Sequence, residues 1–152
     1  MILARAAAAL AAAFLLINTA AAQSPVLSLE GKVKEPQHWT LDDLRKMPAQ
    51  REEVSFQTDR GPVTARFTGV LLWSLIEAAG GLTDTEKGGV IRHAVRVTAK
   101  DGWVVVTSTG EIAPDFGAKP ALVAYERDGK PLEDFRVVMP GKVRDVVMIS
   151  IE

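Results

Sequence analysis

The 152-residue sequence contains no cysteine, only two histidines and a single tyrosine. The absence of cysteine excludes disulfide bonds, thiolate nucleophiles, haem attached through C-x-x-C-H, and metal sites built on thiolates. His38 and His93 lie far apart, and neither belongs to a His-x-Glu or His-Glu-x-x-His pattern. We therefore interpret each histidine as an ordinary surface or core residue and predict no transition metal bound by protein side chains.

The chain also lacks an excess of charge of either sign, because 18 basic residues are balanced by 19 acidic ones. This balance argues against a nucleic-acid partner. The sequence contains neither a Gly-x-Ser-x-Gly nucleophile motif nor a glycine-rich phosphate loop. Carboxylates for glycoside hydrolysis could be drawn from Asp101, Glu111 and Asp115, but no sequence spacing assigns them that role.

The first 22 residues have a composition that is typical of a secretory signal peptide. A basic start at Arg5 is followed by a short apolar run and by the Ala20-Ala-Ala22 end. The alternative is a membrane anchor, but the apolar run is shorter than the roughly 20 residues that span a bilayer. We predict cleavage after Ala22, a single domain over residues 23–152, and no membrane insertion after cleavage.

The centre of the chain, residues 54–70, has the pattern of two strands around a polar segment. Apolar and polar residues alternate from Val54 to Gln57 and again from Val63 to Phe67, as in half-buried strands. Residues 58–62 interrupt the alternation with the turn formers Asp, Arg, Gly and Pro. The pattern predicts a polar loop that is well placed to hold a ligand, next to the start of a helix.

Two helices and many short strands are predicted elsewhere. Thr40 is a predicted N-cap for a short helix that ends before Pro48. The clearest helix runs over residues 70–79, because its apolar residues fall on one face. Strands are predicted at residues 26–30, 95–99, 103–107, 121–125, 135–139 and 146–151, with a long polar segment over residues 108–119. This order predicts an α+β fold with a mixed sheet or barrel-like β core.

From residue 26 to residue 152 the chain resembles the oxidoreductase molybdopterin-binding domain, which has the sulfite-oxidase fold. The order and spacing of several short pieces carry the resemblance: Leu29-Glu-Gly-Lys-Val33, Thr40-Leu-Asp-Asp-Leu44, Val54-Ser-Phe-Gln-Thr58, Phe67-Thr-Gly-Val-Leu-Leu-Trp73, Ala78-Ala-Gly80, Asp101-Gly-Trp103, Ala124-Tyr-Glu-Arg-Asp-Gly129, Lys130-Pro-Leu132 and Val138-Met-Pro-Gly141. The resemblance implies a sulfite-oxidase-type mixed β-sheet with a few short helices.

Thr58 marks the main departure from the family pattern. In catalytic members the matching residue is a cysteine whose thiolate binds molybdenum. A threonine hydroxyl is neither soft nor readily ionised, so it does not replace a thiolate as a ligand. The resemblance therefore implies a pterin-holding fold, with a reduced pterin as the ligand and no molybdenum cofactor.

A pterin is a flat ring with an amide-amino edge, and candidate residues follow from that chemistry. A carboxylate can accept the edge N–H groups as a pair, and an aromatic ring or guanidinium can stack on the face. The loops offer such groups at Thr58, Asp59, Arg60, Trp103, Glu111, Phe116 and Arg144, with Asp145 beside the last. Each has a simpler interpretation as a solvated turn, a core aromatic, a backbone cap or a surface ion pair.

Three functions fit this sequence. The resemblance is closest to small exported members without the cysteine, which implies a periplasmic, non-catalytic pterin sensor. Its partner would be the periplasmic domain of a membrane-bound cyclic-di-GMP enzyme. The alternatives are a molybdopterin-dependent oxidoreductase and a protein–protein interaction module without ligand.

Overall fold

The computed structural model describes residues 24–152, so the predicted signal peptide lies outside the described residues. Three short α-helices occur in this part of the chain, α1 at Leu41–Arg45, α2 at Leu72–Ala78 and α3 at Thr109–Ile112, with a 3-10 turn at Gly89–Ile91. The strands are β1 Val26–Gly31, β2 Gln37–Thr40, β3 Gln50–Thr58, β4 Gly61–Leu71, β5 Ala94–Thr98, β6 Val104–Ser108, β7 Leu122–Arg127, β8 Lys130–Met139, β9 Lys142–Asp145 and β10 Met148–Ile151.

The strands form two five-stranded sheets. The first has the order β2-β1-β10-β5-β6 and is mixed, because β1 pairs with β10 in parallel while its other pairs are antiparallel. The second is antiparallel, with the order β3-β4-β7-β8-β9. Its edge strands β3 and β9 approach each other, so the sheet curls towards a barrel. The predicted α+β fold with a mixed sheet and barrel-like core is confirmed.

Two apolar clusters hold this arrangement together. The larger one joins the inner face of the first sheet to α2 and to one face of the second sheet, and it includes the fully buried Leu27, Leu75 and Ile149. The smaller one lies on the opposite face of the second sheet around Phe67 and Leu122. Burial of each side chain of this size stabilises the folded state by roughly 1.5–3 kcal/mol.

Helix α1 begins where the sequence predicts. The Oγ1 atom of Thr40 accepts from the Asp43 backbone N at 3.3 Å, and the Asp43 carboxylate accepts from the Thr40 N at 3.0 Å. This reciprocal pair is a capping box. The hydrogen bond from the Thr40 side chain is the main reason why the pKa of Asp43 is lowered.

Helix α2 starts two residues later than predicted. Val70 and Leu71 continue β4 and pair with Val123 and Leu122 of β7. The helix begins at Leu72, whose backbone N donates to the Ala121 carbonyl at 2.7 Å. The pairing with β7 is a long-range contact, so the local apolar pattern could not show where the strand stops.

The predicted polar segment between two strands is present, but it is a tight turn that is shorter than the predicted residues 58–62. Strands β3 and β4 pair up to Thr58 and Gly61, which leaves only Asp59 and Arg60 between them. The Thr58 hydroxyl donates to the Gly61 carbonyl at 2.8 Å and accepts from the Arg60 backbone N at 3.3 Å. These local bonds let the hairpin close with two residues.

The predicted long polar segment over residues 108–119 contains helix α3, so the described chain has three α-helices where two were expected. Ser108 caps it by accepting from the Glu111 backbone N at 3.2 Å. Four residues are too few for an apolar period to be recognised. Trp103 was expected to begin a strand, but it precedes β6 and belongs to the β5–β6 turn.

A polar cluster attaches the loop before β5 to the end of β10. His93 is 5% exposed; its Nε2 lies 3.1 Å from the Asp84 carboxylate and its Nδ1 lies 3.1 Å from the Glu152 carbonyl. Arg92 donates to Asp84 through two nitrogens at 2.7 and 3.0 Å. The Arg92 bonds hold the pKa of Asp84 far below its usual range. The structure places His93 as a core residue with a fixed ring.

Candidate functional site

The end of β3, the β5–β6 turn and strands β8 and β9 surround an open cavity of about 490 Å³. We call it the polar cavity, and it is lined by Phe56, Gln57, Thr58, Asp59, Ala99, Asp101, Trp103, Arg136, Val143 and Asp145. Three carboxylates and one guanidinium belong to this lining. The cavity therefore presents more hydrogen-bond acceptors with negative charge than cationic donors.

Arg136 and Asp145 lie side by side on one wall because they are directly opposite each other in the β8–β9 pair. Side chains of opposed residues in an antiparallel pair share one face of the sheet. The Arg136 Nε lies 3.0 Å from Oδ1 of Asp145, and both side chains are about a third to a half exposed. An exposed ion pair of this kind contributes at most about 1 kcal/mol, and it orients both groups at the cavity.

Trp103 forms another part of the lining and is 58% exposed. Gly102 before it has a φ of +87°, which a glycine adopts without strain. The Trp103 backbone N donates to Asp101 at 3.1 Å, and its carbonyl accepts from the Ala99 N at 2.8 Å. The backbone of an exposed aromatic residue is thus held at the cavity. A large exposed aromatic side chain is suited to stacking on a flat ligand.

Thr58 lies at the floor of the β3–β4 turn, and its hydroxyl is already used. One bond goes to the Gly61 carbonyl and one comes from the Arg60 N, as described above. A neutral hydroxyl held in this way does not supply the soft anionic donor that a thiolate supplies. Among residues 24–152, no group of three or more histidines or carboxylates is placed to hold a metal ion.

The predicted site residues divide into those that meet at the polar cavity and those that do not. Thr58, Asp59 and Trp103 come together there, with Asp145 beside them. Arg60 is exposed in the turn but does not belong to the lining. Phe116 is 55% exposed and lies outside it as well.

The remaining two predicted residues are Glu111 and Arg144. Arg144 belongs to β9 between Val143 and Asp145, and its side chain lies outside the described part of the structure. Glu111 lines a different cavity of about 220 Å³. It accepts from the Thr107 hydroxyl at 2.5 Å and from the Lys119 ammonium at 2.8 Å.

Because both carboxylate oxygens of Glu111 accept hydrogen bonds from within the protein, we assign Glu111 a structural role. The pKa of Glu111 is lowered from 4.5 to about 2. The largest cause is the hydrogen bond from Lys119, and the next is the hydrogen bond from Thr107. A carboxylate with a depressed pKa stabilises the folded state above the pKa of the unfolded chain. That contribution is lost as pH falls from about 4.5 to about 2.

The Glu111→Gln substitution tests this role. Because Glu111 is partly exposed, we expect a loss of about 1 kcal/mol in unfolding free energy near pH 7. The difference from the unsubstituted protein should shrink as pH falls from about 5 to about 2. Urea titrations over this pH range measure it, with Glu133→Gln on the exposed face of β8 as the control. A difference that is independent of pH would contradict the assignment.

Sequence analysis missed Gln57, Asp101 and Arg136 as lining residues. Arg136 alternates with the buried Phe135 and Val137, so the pattern shows only that it points away from the core. Its place at the cavity depends on the β8–β9 register, which brings it opposite Asp145. No signal in one strand could reveal that pairing.

Two further cavities continue from the polar cavity along β6. A cavity of about 330 Å³ shares Phe56, Gln57, Trp103 and Val143 with the polar cavity, and adds Val104, Val105, Val106, Gly141 and Lys142. The cavity at Glu111 shares Val106 and Lys142 with it. The cavities of about 330 and 220 Å³ together form a continuous groove between β6 and the β8–β9 hairpin, which we call the edge groove.

Comparison with known families assigns the chain. The model of the oxidoreductase molybdopterin binding domain matches residues 17–144, which is most of the sequence. The chain belongs to this family. The resemblance seen in the short sequence pieces is confirmed.

A similar solved structure is the crystal structure of the sulfane dehydrogenase SoxCD from Paracoccus pantotrophus, with a TM-score of 0.62 and 15% sequence identity. The match covers 84% of this chain and 38% of that chain, so this member of the family spans well under half of the longer protein. The likeness confirms a fold of the sulfite-oxidase type. A comparison with curated proteins found no match.

Proposed function

We propose that this family member is a non-catalytic, periplasmic pterin-binding protein that acts as a ligand sensor. The observation that carries the proposal is the state of Thr58. Its hydroxyl is committed to the β3–β4 turn, and the family resemblance places it where catalytic members have the metal-binding cysteine. The polar cavity beside Thr58 still offers groups that suit the pterin part of a molybdopterin-type cofactor.

The polar cavity matches the chemistry of a pterin in two ways. The amide-amino edge of the ligand carries adjacent N–H donors, and the carboxylates of Asp59, Asp101 and Asp145 are the acceptors available to it. The Trp103 indole offers a face on which the flat ring can stack. The Arg136 guanidinium can donate to the ring carbonyl.

The donor set of the polar cavity suits a pterin. The sequence lacks any thiolate of the kind that, by the family resemblance, binds molybdenum in catalytic members. The proposed ligand is therefore a pterin, in its reduced form, that is bound and released without a covalent change. The open shape of the polar cavity suits such reversible exchange.

A sensor needs a partner that reads the bound state. We propose the periplasmic domain of a membrane-bound cyclic-di-GMP enzyme, on the resemblance to small exported members and on the signal peptide predicted for residues 1–22. In the part of the chain that the structure describes, no helix is sufficiently long and apolar to cross a membrane.

The second candidate is a molybdopterin-dependent oxidoreductase, which is favoured by the family description itself. It requires the metal to be held without a cysteine ligand. Metal content and ligand binding separate the two candidates directly.

The test is calorimetric titration of the purified protein with a reduced and an oxidised pterin, together with metal analysis of protein purified from its native cells. We expect saturable binding of the reduced pterin with a micromolar dissociation constant, which is a binding free energy of about 8 kcal/mol. We expect no stoichiometric molybdenum. Lumazine reduced to the same oxidation state is the matched control ligand, because it differs from the reduced pterin only in the oxygen that replaces the 2-amino donor. It should bind about tenfold more weakly.

Other results would reject the proposal. Stoichiometric molybdenum would restore the oxidoreductase, since the metal would then be held without a thiolate. If the protein binds no pterin and contains no molybdenum, an interaction module is the better description. Equal affinity for pterin and lumazine would show that the carboxylates do not recognise the amino edge.

A further inference from the structure

Strand β6 forms one edge of the first sheet, and among the described strands it pairs only with β5. Its outer face carries Val104 and Val106, which are 38% and 50% exposed. An apolar edge strand is a ready template for another extended chain, and proteins usually protect such edges with charge or proline. The side chains of β6 itself include neither.

The hydrogen-bond pattern shows which backbone groups of β6 point away from β5. The Trp103 carbonyl accepts from the Ala99 N, and the Thr109 N donates to the His93 carbonyl. Backbone bonding alternates along an antiparallel pair, so Val105 and Thr107 also bond to β5. The N–H and C=O groups of Val104 and Val106 consequently point into the edge groove.

The charges along the edge groove differ between its two ends. At the Val104 end lie the carboxylates of Asp59 and Asp101, beside the Arg136–Asp145 ion pair. At the Val106 end lies Lys142, with Lys119 bonded to Glu111 beyond it. An occupant with a basic residue at the first end and an acidic residue at the second would be matched in charge.

We propose that the edge groove binds an extended segment of a partner protein, which adds to β6 as an antiparallel strand. The segment has apolar residues at alternate positions, an acidic residue near its amino end beside Lys142, and a basic residue near its carboxyl end beside Asp101. Backbone bonds to Val104 and Val106 supply affinity, and the alternate side chains and end charges supply specificity. The proposal is separate from pterin binding, but the two surfaces overlap, because the edge groove shares Trp103 and Val143 with the polar cavity. Peptide binding is therefore measured without pterin.

The probe is a capped, fluorescently labelled heptapeptide with glutamate first, lysine last and alternating threonine and valine between them. Binding is measured by fluorescence polarisation on the purified protein without pterin. Two further peptides carry N-methyl groups either on the valine amides or on the threonine amides. Only one of these sets faces β6 in a strand, so one peptide should bind about tenfold more weakly and the other nearly unchanged.

Lys142→Glu tests the charge match, and Lys130→Glu, an exposed lysine outside the edge groove, is its matched control. We expect Lys142→Glu to weaken binding of the probe about two- to fivefold. The variant should bind more tightly a peptide in which the two end charges are exchanged. Lys130→Glu should change neither constant. Melting curves establish that both variants are folded.

Several results would overturn the proposal. No saturable binding of the probe would do so, as would an equal loss with both methylated peptides, because strand pairing requires only one set of amides. Sedimentation of the free protein as a dimer that Val106→Pro dissociates would show that a second copy occupies β6 instead. Proline is tolerated at an outward-facing edge position, so that variant should fold.

Discussion

Trp103→Ala is expected to weaken binding of a reduced pterin by about tenfold to a hundredfold. Stacking of a flat heterocycle on an aromatic side chain contributes roughly 1–3 kcal/mol per ring, and Trp103 is the exposed aromatic residue that lines the polar cavity beside Phe56. Its exposure means that little core packing is lost on substitution, so the unfolding midpoint should move only slightly. Calorimetric titration and a urea melt of the same sample measure both effects.

The controls separate stacking from simple loss of apolar surface. Trp103→Phe keeps an aromatic face and should recover most of the affinity. Trp73→Ala removes a tryptophan that lies outside the polar cavity and donates to Glu77 at 3.1 Å, so it should leave affinity unchanged. Unchanged affinity in Trp103→Ala would remove this residue from the site and place the ligand elsewhere.

Gly69→Ala is expected to lower the free energy of unfolding by about 3 kcal/mol or more. Gly69 lies in β4 at an irregularity in the pairing with β7. A Cβ atom there would lie well inside van der Waals contact of the Val123 carbonyl and the Ala124 backbone. Both strands belong to the centre of the second sheet, so neither can move aside cheaply, and overpacking of this kind costs about 1–3 kcal/mol or more.

Gly129→Ala is the matched control for this steric effect. Gly129 has a φ of +77°, but an added Cβ would meet nothing within 4 Å. Its cost should therefore be limited to backbone strain of about 1 kcal/mol. Urea denaturation with constant slope gives both values. Equal losses in the two variants would show that β7 can shift to accommodate a methyl group at residue 69.

Local sequence signals were reliable where neighbouring residues form the structure. The capping box at Thr40 and Asp43 is made within one turn of chain, and the Asp101-Gly102 signal predicted the β5–β6 turn. Positions that depend on distant partners were less predictable. Val70 and Leu71 have the apolar character of a helix, but pairing with β7 keeps them extended.

The same distinction applies to the candidate site. Thr58 was predicted from the family resemblance, and Asp59 and Trp103 from ligand chemistry; all three meet at the polar cavity. Arg136 was missed because its place depends on the register of β8 and β9. Glu111 had the right chemistry for a ligand contact. The fold brings Lys119 and Thr107 to it, so its charge is already satisfied within the protein.

The amino-acid sequence alone establishes which chemistry is absent and which family the chain resembles. The lack of cysteine is a property of composition, and the family resemblance rests on the order of short pieces along the chain. The polar cavity and the edge groove come from tertiary structure, because their walls are contributed by β3, β6, β8 and β9. Residues that are far apart in sequence become neighbours only through strand pairing and sheet curvature, and those depend on the packing of the whole core.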